Sequence, residues 1–225
     1  MTAHPTQFQL IFPTPRPRSI RTRTIAKWFN LTFPKKSQLY RNSINPNQLS
    51  NLMPASNQIL LITGPSGAGK SSLLRLLQQQ SSDAQDLLQI PLPDRPLVDC
   101  FARLPLDEVL ALLSRVGLAE AWSYLRTPCE LSDGQRWRFR LAIALWQAQS
   151  HRDPILIADE FAALLDRVTA AVVARSLRRA VSSSQNLCAI LATSHDDLLQ
   201  ALRPDLHVRC DFGRMQWQRF NAATA

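Results

Sequence analysis

A short glycine-rich run has the residue types and the spacing needed to hold phosphate groups. It fits the pattern G-x-x-x-x-G-K-[ST] and reads Gly64-Pro65-Ser66-Gly67-Ala68-Gly69-Lys70-Ser71-Ser72. In this pattern the glycines let backbone N–H groups close around phosphate oxygens, and the N-terminus of the following helix adds partial positive charge. We expect Lys70 to reach the β- and γ-phosphates and the Ser71 hydroxyl to hold Mg²⁺. The run therefore predicts a nucleoside triphosphate site.

The segments on either side of this run are those that the pattern requires. The apolar run Ile59–Thr63 predicts a buried strand before it, and the apolar spacing from Ser72 predicts a helix after it. A coincidental glycine-rich turn is the alternative interpretation. The strand, turn and helix in this order favour the nucleotide site.

Two carboxylates follow directly after another predicted strand. The apolar run 155–158 leads into Asp159 and Glu160. We expect Asp159 to hold the same Mg²⁺ as Ser71, usually through water. Glu160 points to the other side of the strand end and suits a general base for in-line attack on the γ-phosphorus. The alternative is that the two acids cap a helix that begins at Phe161.

Two further segments could contact phosphate. His195 follows the apolar strand predicted over 188–193, where a contact to a γ-phosphate would lie, although a histidine at a strand end can also be structural. The run 131–135 precedes a basic and apolar stretch that predicts a helix from about Gln135. There, the Ser132 hydroxyl, the Gly134 N–H and the helix N-terminus would form an anion site. An ordinary helix start with an aspartate cap is the alternative.

Taken in chain order, these segments resemble the conserved elements of the ATP-binding cassette (ABC) ATPases. They correspond to the Walker A, signature, Walker B, D-loop and switch-histidine elements, and Asp166 in the run 163–166 holds the D-loop position. The resemblance covers about residues 55 to 217. It implies an α/β fold, with a RecA-like P-loop NTPase core of ABC type, a small antiparallel β element and a short helical subdomain. It also implies Mg²⁺-dependent hydrolysis of ATP, with ATP and Mg²⁺ as the bound species.

The resemblance further implies an ATP-dependent homodimer. In ABC ATPases two copies sandwich two ATP molecules head to tail, so Ser132, Gly134 and Gln135 would act on the nucleotide of the partner subunit. Asp166 would then lie at the dimer seam. This chain has Asp133 where the family signature has its first glycine. We expect the Asp133 side chain to point outward, where it could cap the helix.

Two more site residues are assigned from the family pattern. Gln89, after the predicted strand end 86–88, is the candidate for the glutamine loop that contacts the metal. Tyr40, some two dozen positions before Gly64, is the candidate for stacking on adenine, with Phe33 as the second choice. The interval between Walker A and the signature is shorter than in transporter subunits of the family. It predicts a trimmed helical insert over about residues 95–130.

Composition limits the class of protein. The chain has 225 residues, of which 45% are hydrophobic, enough for one α/β domain with a full core. No apolar run is long enough to span a membrane. The four cysteines have neither metal-ligand spacing nor a paired pattern, and we expect free thiols in a reducing compartment, so a cytoplasmic location is predicted.

The positive charge is concentrated at the start of the chain. The first 57 residues contain eight Lys and Arg and neither Asp nor Glu, which accounts for most of the net charge of +9. Residues 1–24 are also rich in Pro and Thr and predict a disordered arm, followed by the ABC-type domain over 25–225. The arm suits nucleic acid or an anionic membrane surface. A solvated tail, an inaccurately assigned start and an organelle transit peptide are the alternatives.

The remaining segments predict the antiparallel element. We expect it between the arm and the glycine-rich run, from a strand or helix over 25–33 and a second element over 49–53. The runs 206–210 and 214–217 predict a closing β-hairpin. Trp137 and Trp217 are expected to pack in the core or at its edge.

Two biological roles compete at this point. The short insert and the basic arm favour a soluble ATPase that acts on nucleic acid or a protein partner. The alternative is the nucleotide-binding subunit of an ABC transporter that pairs with a separate membrane permease. A regulator that binds ATP and hydrolyses little is disfavoured because Glu160 and His195 are both present.

Overall fold

The computed structural model describes residues 6–9, 19–31, 46–81, 83–211 and 214–220. The strands are β1 Thr6–Gln9, β2 Ile59–Thr63, β3 Ala84–Asp86, β4 Ile155–Ala158, β5 Cys188–Ala192, β6 Leu206–Asp211 and β7 Arg214–Arg219. The helices are α1 Ile20–Trp28, α2 Pro46–Leu52, α3 Lys70–Gln78, α4 Leu106–Arg115, α5 Ala121–Leu125, α6 Asp133–Ala148, α7 Arg167–Ser183 and α8 Leu199–Leu202. The strands form one sheet in the order β1-β7-β6-β2-β5-β4-β3.

The centre of the sheet is parallel and covered on both faces. Strands β6, β2, β5, β4 and β3 run parallel to their neighbours, and every residue of β2 is buried. Ile59 and Leu61 pack into a core formed with α4, α6 and α7, whereas Leu60 and Ile62 pack on the other face with α2 and α3. Continuous apolar strands of this kind are typical of parallel sheets between helical layers. The α/β fold predicted from the sequence is confirmed.

The antiparallel element lies at one edge of this same sheet. β6 and β7 form the predicted hairpin, and β1 pairs antiparallel with β7. The stretch before the glycine-rich run, predicted to supply this element over 25–33 and 49–53, does not do so in its described residues. The described part of that stretch is helical, in α1 and α2, and β1 comes from the segment predicted to be a disordered arm. Pairing with the backbone groups at the edge of β7 stabilises β1 without a long apolar sequence.

A trimmed helical insert packs on α6. It contains α4 and α5, which both lie in the range predicted for it from the sequence. The Phe101 ring packs edge-on against Phe139 and Trp146, with ring centroids 5.9 and 5.6 Å apart. Such aromatic contacts add to the free energy gained from burying the rings. The insert is thereby fixed to the helix that begins at the signature run.

A partly buried ion pair fixes the start of the strand that leads to the glycine-rich run. Arg178 of α7 donates to Asp205 at 2.7 Å and to the Asn57 carbonyl at 2.9 Å. The same Asp205 oxygen accepts the Ile59 N–H at 2.8 Å. These charge-assisted bonds join α7, β2 and the segment before β6.

None of the described helices is both long enough and apolar enough to cross a lipid bilayer.

Candidate nucleotide-binding and catalytic site

Four neighbouring parallel strands bring the predicted site residues to one edge of the sheet. The glycine-rich run follows β2, His195 follows β5, Asp159 and Glu160 follow β4, and Gln89 follows β3. Carboxyl ends of parallel strands meet at the same edge, which is where ligands bind in open α/β sheets. In the sheet, β5 lies between β2 and β4. The histidine therefore ends its strand between the phosphate run and the two carboxylates.

The glycine-rich run adopts a conformation that requires glycine. Gly64 has φ +140°, and a Cβ at this position would lie 2.1 Å from the Cys210 carbonyl oxygen. Gly69 has φ +100° and is the N-cap of α3, which begins at Lys70, two residues earlier than predicted. A glycine cap has no side chain to satisfy the first N–H groups of the helix, so they are available to an anion.

The lysine of the run lies against the run itself. Lys70 Nζ donates to the Gly64 carbonyl at 2.8 Å and to the Pro65 carbonyl at 3.0 Å. Gly67 has φ +77°, and a Cβ there would meet none of the described atoms within 4 Å. Residues 65–67 are exposed, and Ser71 and Ser72 are half-buried. The run is thus open on the side from which phosphate would approach.

Thr193 connects the strand ends that carry the site. It is fully buried, and its hydroxyl donates to the Phe161 carbonyl at 3.2 Å. The His195 N–H donates to the same hydroxyl at 3.2 Å. The Thr193 N–H donates to the Ile62 carbonyl at 2.9 Å, and the Phe161 N–H donates to the Ala192 carbonyl at 2.7 Å. Sequence reasoning missed this residue, although it directly follows the β5 strand.

The backbone of Glu160 is held in an uncommon conformation. Glu160 has φ +49° and Ala162 has φ +60°, values that cost a non-glycine residue about 1–2 kcal/mol each. The Glu160 N–H donates to an Asp159 carboxylate oxygen at 3.0 Å. Turns cover residues 159–164, and no helix begins at Phe161. The alternative that the two acids cap a helix there was wrong.

The remaining predicted site residues differ in their surroundings. Glu160 is exposed, whereas Asp159 and His195 are half-buried. Gln89 is exposed in a 3₁₀ turn, and its amide donates to the Asp86 carboxylate at 3.2 Å. Tyr40 and the second choice, Phe33, lie outside the described residues.

The signature run forms a capped helix N-terminus. Ser132 is the N-cap of α6, and its hydroxyl accepts the Gln135 N–H at 3.2 Å while the Gln135 side chain accepts the Ser132 N–H at 3.0 Å. The helix therefore begins before Gln135, and Ser132 rather than Asp133 is its cap. The Asp133 side chain is 80% exposed and pairs with Arg136 at 3.3 Å. An exposed pair of this kind adds little stability.

Gly134 has a packing role that sequence reasoning did not assign. A Cβ at this position would lie 3.0 Å from the Leu164 carbonyl oxygen and 3.2 Å from Leu165. The start of α6 is thus close to the turn before Asp166. Asp166 is the N-cap of α7 and accepts the Thr169 N–H at 3.0 Å. Hydrogen bonds from the Thr169 side chain and backbone hold the pKa of Asp166 below its usual value.

Arg138 joins the insert to the signature helix. Its guanidinium donates to the Gly117 carbonyl and, at 3.3 Å, to the Gly134 carbonyl. Burial lowers the pKa of Arg138, while the nearby charges of Glu120 and Asp166 oppose that change. The signal in the sequence was its position one helical turn after Gly134.

This chain is similar to known ATP-binding proteins. A family model described as an AAA domain matches residues 54–202. The phosphonates import ATP-binding protein PhnC of Hyphomonas neptunium is 30% identical over 188 residues, which cover 64% of this chain and 70% of that protein. The hemin import ATP-binding protein HmuV of Shewanella denitrificans is 33% identical over 182 residues, and the match covers 66% of this chain and 70% of that protein. The lipoprotein-releasing system ATP-binding protein LolD of Maricaulis maris is 28% identical, and the match covers 66% of this chain and 79% of that protein.

Solved structures share the fold at lower identity. An ATP-binding cassette in a dimeric post-hydrolysis state bound to ADP and Pi has a TM-score of 0.57 and 16% identity, covering 76% of this chain and 89% of that chain. The protein cbiO1 from Clostridium perfringens, part of an ABC transporter complex, has a TM-score of 0.50 and 19% identity, covering 70% and 75%. The site and fold define a P-loop ATPase. The chain belongs to the AAA-domain family that the model describes and to the ABC ATPase superfamily, and it is an ATP hydrolase.

Proposed function

We propose that this chain is the nucleotide-binding subunit of a membrane transporter and that it works with a permease on a separate chain. The relatives described above support this role, since two are named as import proteins and one as part of a lipoprotein-releasing system. They give no support to an ATPase that acts on nucleic acid. Of the two roles that the sequence left open, the transporter alternative is therefore preferred.

The proposal of a permease partner rests on the apolar side chains that are exposed on the helical insert. Trp122 of α5 is 76% exposed, and Leu125 one turn away is also exposed. Leu106 at the start of α4 is exposed as well. Large apolar side chains left in water on one small subdomain are typical of a surface that a protein partner covers.

Binding of ATP would use the glycine-rich run and the start of α3. Lys70 would exchange the Gly64 and Pro65 carbonyls for oxygens of the β- and γ-phosphates. The backbone N–H groups that follow Gly69, in the first turn of α3, would donate to the same phosphates. Ser71 and Asp159 offer the hard oxygen ligands that suit Mg²⁺, which when bound would neutralise charge on the β- and γ-phosphates. Gln89 and Tyr40 are proposed as further contacts to the metal and to adenine.

Hydrolysis would depend on Glu160 and His195. The exposed Glu160 carboxylate would orient the attacking water and accept its proton. The half-buried His195 would contact the γ-phosphate from the neighbouring strand end. Thr193 would position both residues, because its hydroxyl donates to the carbonyl of Phe161, which follows Glu160, and accepts the N–H of His195. The uncommon backbone of Glu160 is consistent with a conformation held for function.

The cycle would include a head-to-tail dimer. The Ser132 hydroxyl accepts a bond within its own helix cap, and its proton remains available to donate to the γ-phosphate held by a partner subunit. The N-terminus of α6 adds partial positive charge. Leu164, Val168 and Val172 are exposed beside Asp166 and offer an apolar face to a second copy. Such an interface would be isologous.

The test of the permease partner is a photo-crosslinker placed at Leu125. We expect it to capture a membrane protein that raises ATP turnover when the two are reconstituted together. The double variant Trp122→Ser, Leu125→Ser should lose this stimulation and keep the basal rate, whereas the control Phe220→Ser should keep both. Stimulation that survives the double variant, or a captured protein that never alters turnover, would contradict the proposal.

The dimer has its own test. Glu160→Gln should bind ATP without turning it over, so the dimer should accumulate with Mg²⁺ and ATP in light scattering after gel filtration. Adding Lys70→Ala to this variant should return the chain to monomers. A Glu160→Gln protein that stays monomeric with ATP would argue against the dimer.

A further inference from the structure

Helix α1 is a formed helix that buries nothing. It carries a capping box, in which the Ser19 hydroxyl accepts the Thr22 N–H at 3.2 Å and the Thr22 hydroxyl accepts the Ser19 N–H at 2.9 Å. Within the part of the chain that the structure describes, no residue of this helix is buried. A helix of this length is marginal in water by itself and normally depends on packing. Among the described residues, this segment therefore has no packing partner.

The side chains of this segment are unusually apolar for a solvent-facing helix. Ile20 is 82% exposed, Trp28 72% and Phe29 69%, and Ile25 and Leu31 are also exposed. At 3.6 residues per turn, Ile20, Trp28 and Ile25 fall within an arc of about 140° around the axis. Single exposed apolar residues are common on proteins, but five within thirteen positions are not.

The charge of the same segment has one sign. Arg21, Arg23 and Lys27 lie in residues 19–31, which contain neither Asp nor Glu. Arg23 and Lys27 lie outside the apolar arc. Arg21 lies within it, and its long stem can cover apolar surface while the guanidinium reaches outward. The helix thus combines aromatic and aliphatic side chains with an uncompensated positive charge.

The combination of apolar side chains and positive charge distinguishes between the possible partners of a basic helix. Nucleic acid would use the charges but would leave Trp28, Phe29 and Ile20 without a role. An apolar groove of a protein would cover these side chains but would not require three positive charges. An anionic lipid surface uses both, because the apolar side chains enter the acyl boundary and the cations meet lipid phosphates.

We propose that α1 lies on the headgroup surface of an anionic bilayer. Trp28, Phe29 and Ile20 insert at the acyl boundary, and Arg23 and Lys27 face the lipid phosphates. The helix is then a second attachment to the membrane, separate from any docking of the insert on a permease. It does not depend on the transporter role, since it rests on residues 19–31 alone.

The test is flotation of the full-length chain with vesicles of phosphatidylcholine, with and without phosphatidylglycerol, and without any permease. We expect binding only to the anionic vesicles, weakened by added salt. Trp28→Ser with Phe29→Ser should lower the partition coefficient by about tenfold or more. Arg23→Gln with Lys27→Gln should lower it by about fivefold per charge.

Matched controls separate α1 from general surface effects. Trp122→Ser removes a tryptophan that is equally exposed, and Arg175→Gln with Arg179→Gln removes two exposed charges from α7. These variants should bind vesicles like the wild type, and all variants should keep the basal ATPase rate. Equal vesicle binding by the α1 variants and the controls would overturn the proposal. So would a wild type that ignores anionic vesicles but binds a DNA duplex through Arg23 and Lys27.

Discussion

Replacing Thr193 with valine should separate the geometry of the site from the stability of the fold. Valine keeps the shape of the buried side chain and removes the hydroxyl that bonds the Phe161 carbonyl and the His195 N–H, both at 3.2 Å. Leaving these two groups without that partner costs about 2 kcal/mol in unfolding free energy. For a chain of this size we expect Tm to fall by about 4–8 °C. The protein should remain folded at 25 °C.

The effect on catalysis should be larger than the effect on binding. The Thr193 hydroxyl bonds the backbone of His195 and of Phe161, the residue after Glu160. Its loss should displace the Glu160 and His195 side chains and lower kcat by about 10- to 100-fold. The KM for ATP should change little, because the glycine-rich run keeps its own contacts. Steady-state ATPase assays and thermal unfolding, carried out on the same preparations, measure both quantities.

Two further variants make this prediction refutable. Thr193→Ser keeps the hydroxyl and should restore most of kcat. Thr63 is also fully buried at a strand end, but its hydroxyl bonds His207 at 2.9 Å. Thr63→Val should therefore lose a similar amount of stability and much less kcat. If both valine variants lower kcat equally, the loss follows from instability and the positioning role of Thr193 is refuted.

Three other predictions concern the fold around the site. Gly64→Ala places a Cβ 2.1 Å from the Cys210 carbonyl oxygen at φ +140°, so it should abolish nucleotide binding and cost more than about 3 kcal/mol, measured by nucleotide titration and urea unfolding. Asp205→Asn breaks the 2.7 Å pair with Arg178 and weakens the hydrogen bond from the Ile59 N–H. It should lower the free energy of unfolding by about 2 kcal/mol, measured by urea unfolding. Asp197→Asn, a control at an exposed ion pair, should lower it by less than about 0.5 kcal/mol. Burial lowers the pKa of His207 in the folded protein below its usual 6.5, so at pH values between the lowered pKa and 6.5 the unfolded state binds more protons. The free energy of unfolding should therefore fall as the pH drops below about 6.5. His207→Gln should flatten that pH dependence.

The sequence predicted the elements whose signals are local. The strand over 59–63, the run after it, the strand before Asp159 and the closing hairpin each carry an apolar pattern bounded by turn residues, and all are present. Parallel strands with buried faces then require that their ends meet at one edge. The position of the candidate site could therefore be inferred before any contact was known.

The elements that depend on distant contacts could not be predicted in this way. β1 is a strand because the edge of β7 is available to it, and nothing within Thr6–Gln9 encodes that edge. Thr193 acts through a hydrogen bond to Phe161, far along the chain, and a lone threonine carries no pattern. The sequence could not show that Ser132 rather than Asp133 caps α6, because both residues are good N-caps and only the backbone decides between them.

The most direct test of the account is ATP turnover by the purified chain with Mg²⁺, compared between the wild type and Glu160→Gln. Loss of a general base typically lowers the rate by about 100-fold or more. We expect that loss with ATP affinity retained, as measured by equilibrium binding of a fluorescent ATP analogue. A Glu160→Gln protein that turns over ATP at the wild-type rate would contradict the catalytic role of Glu160 and the site described around it.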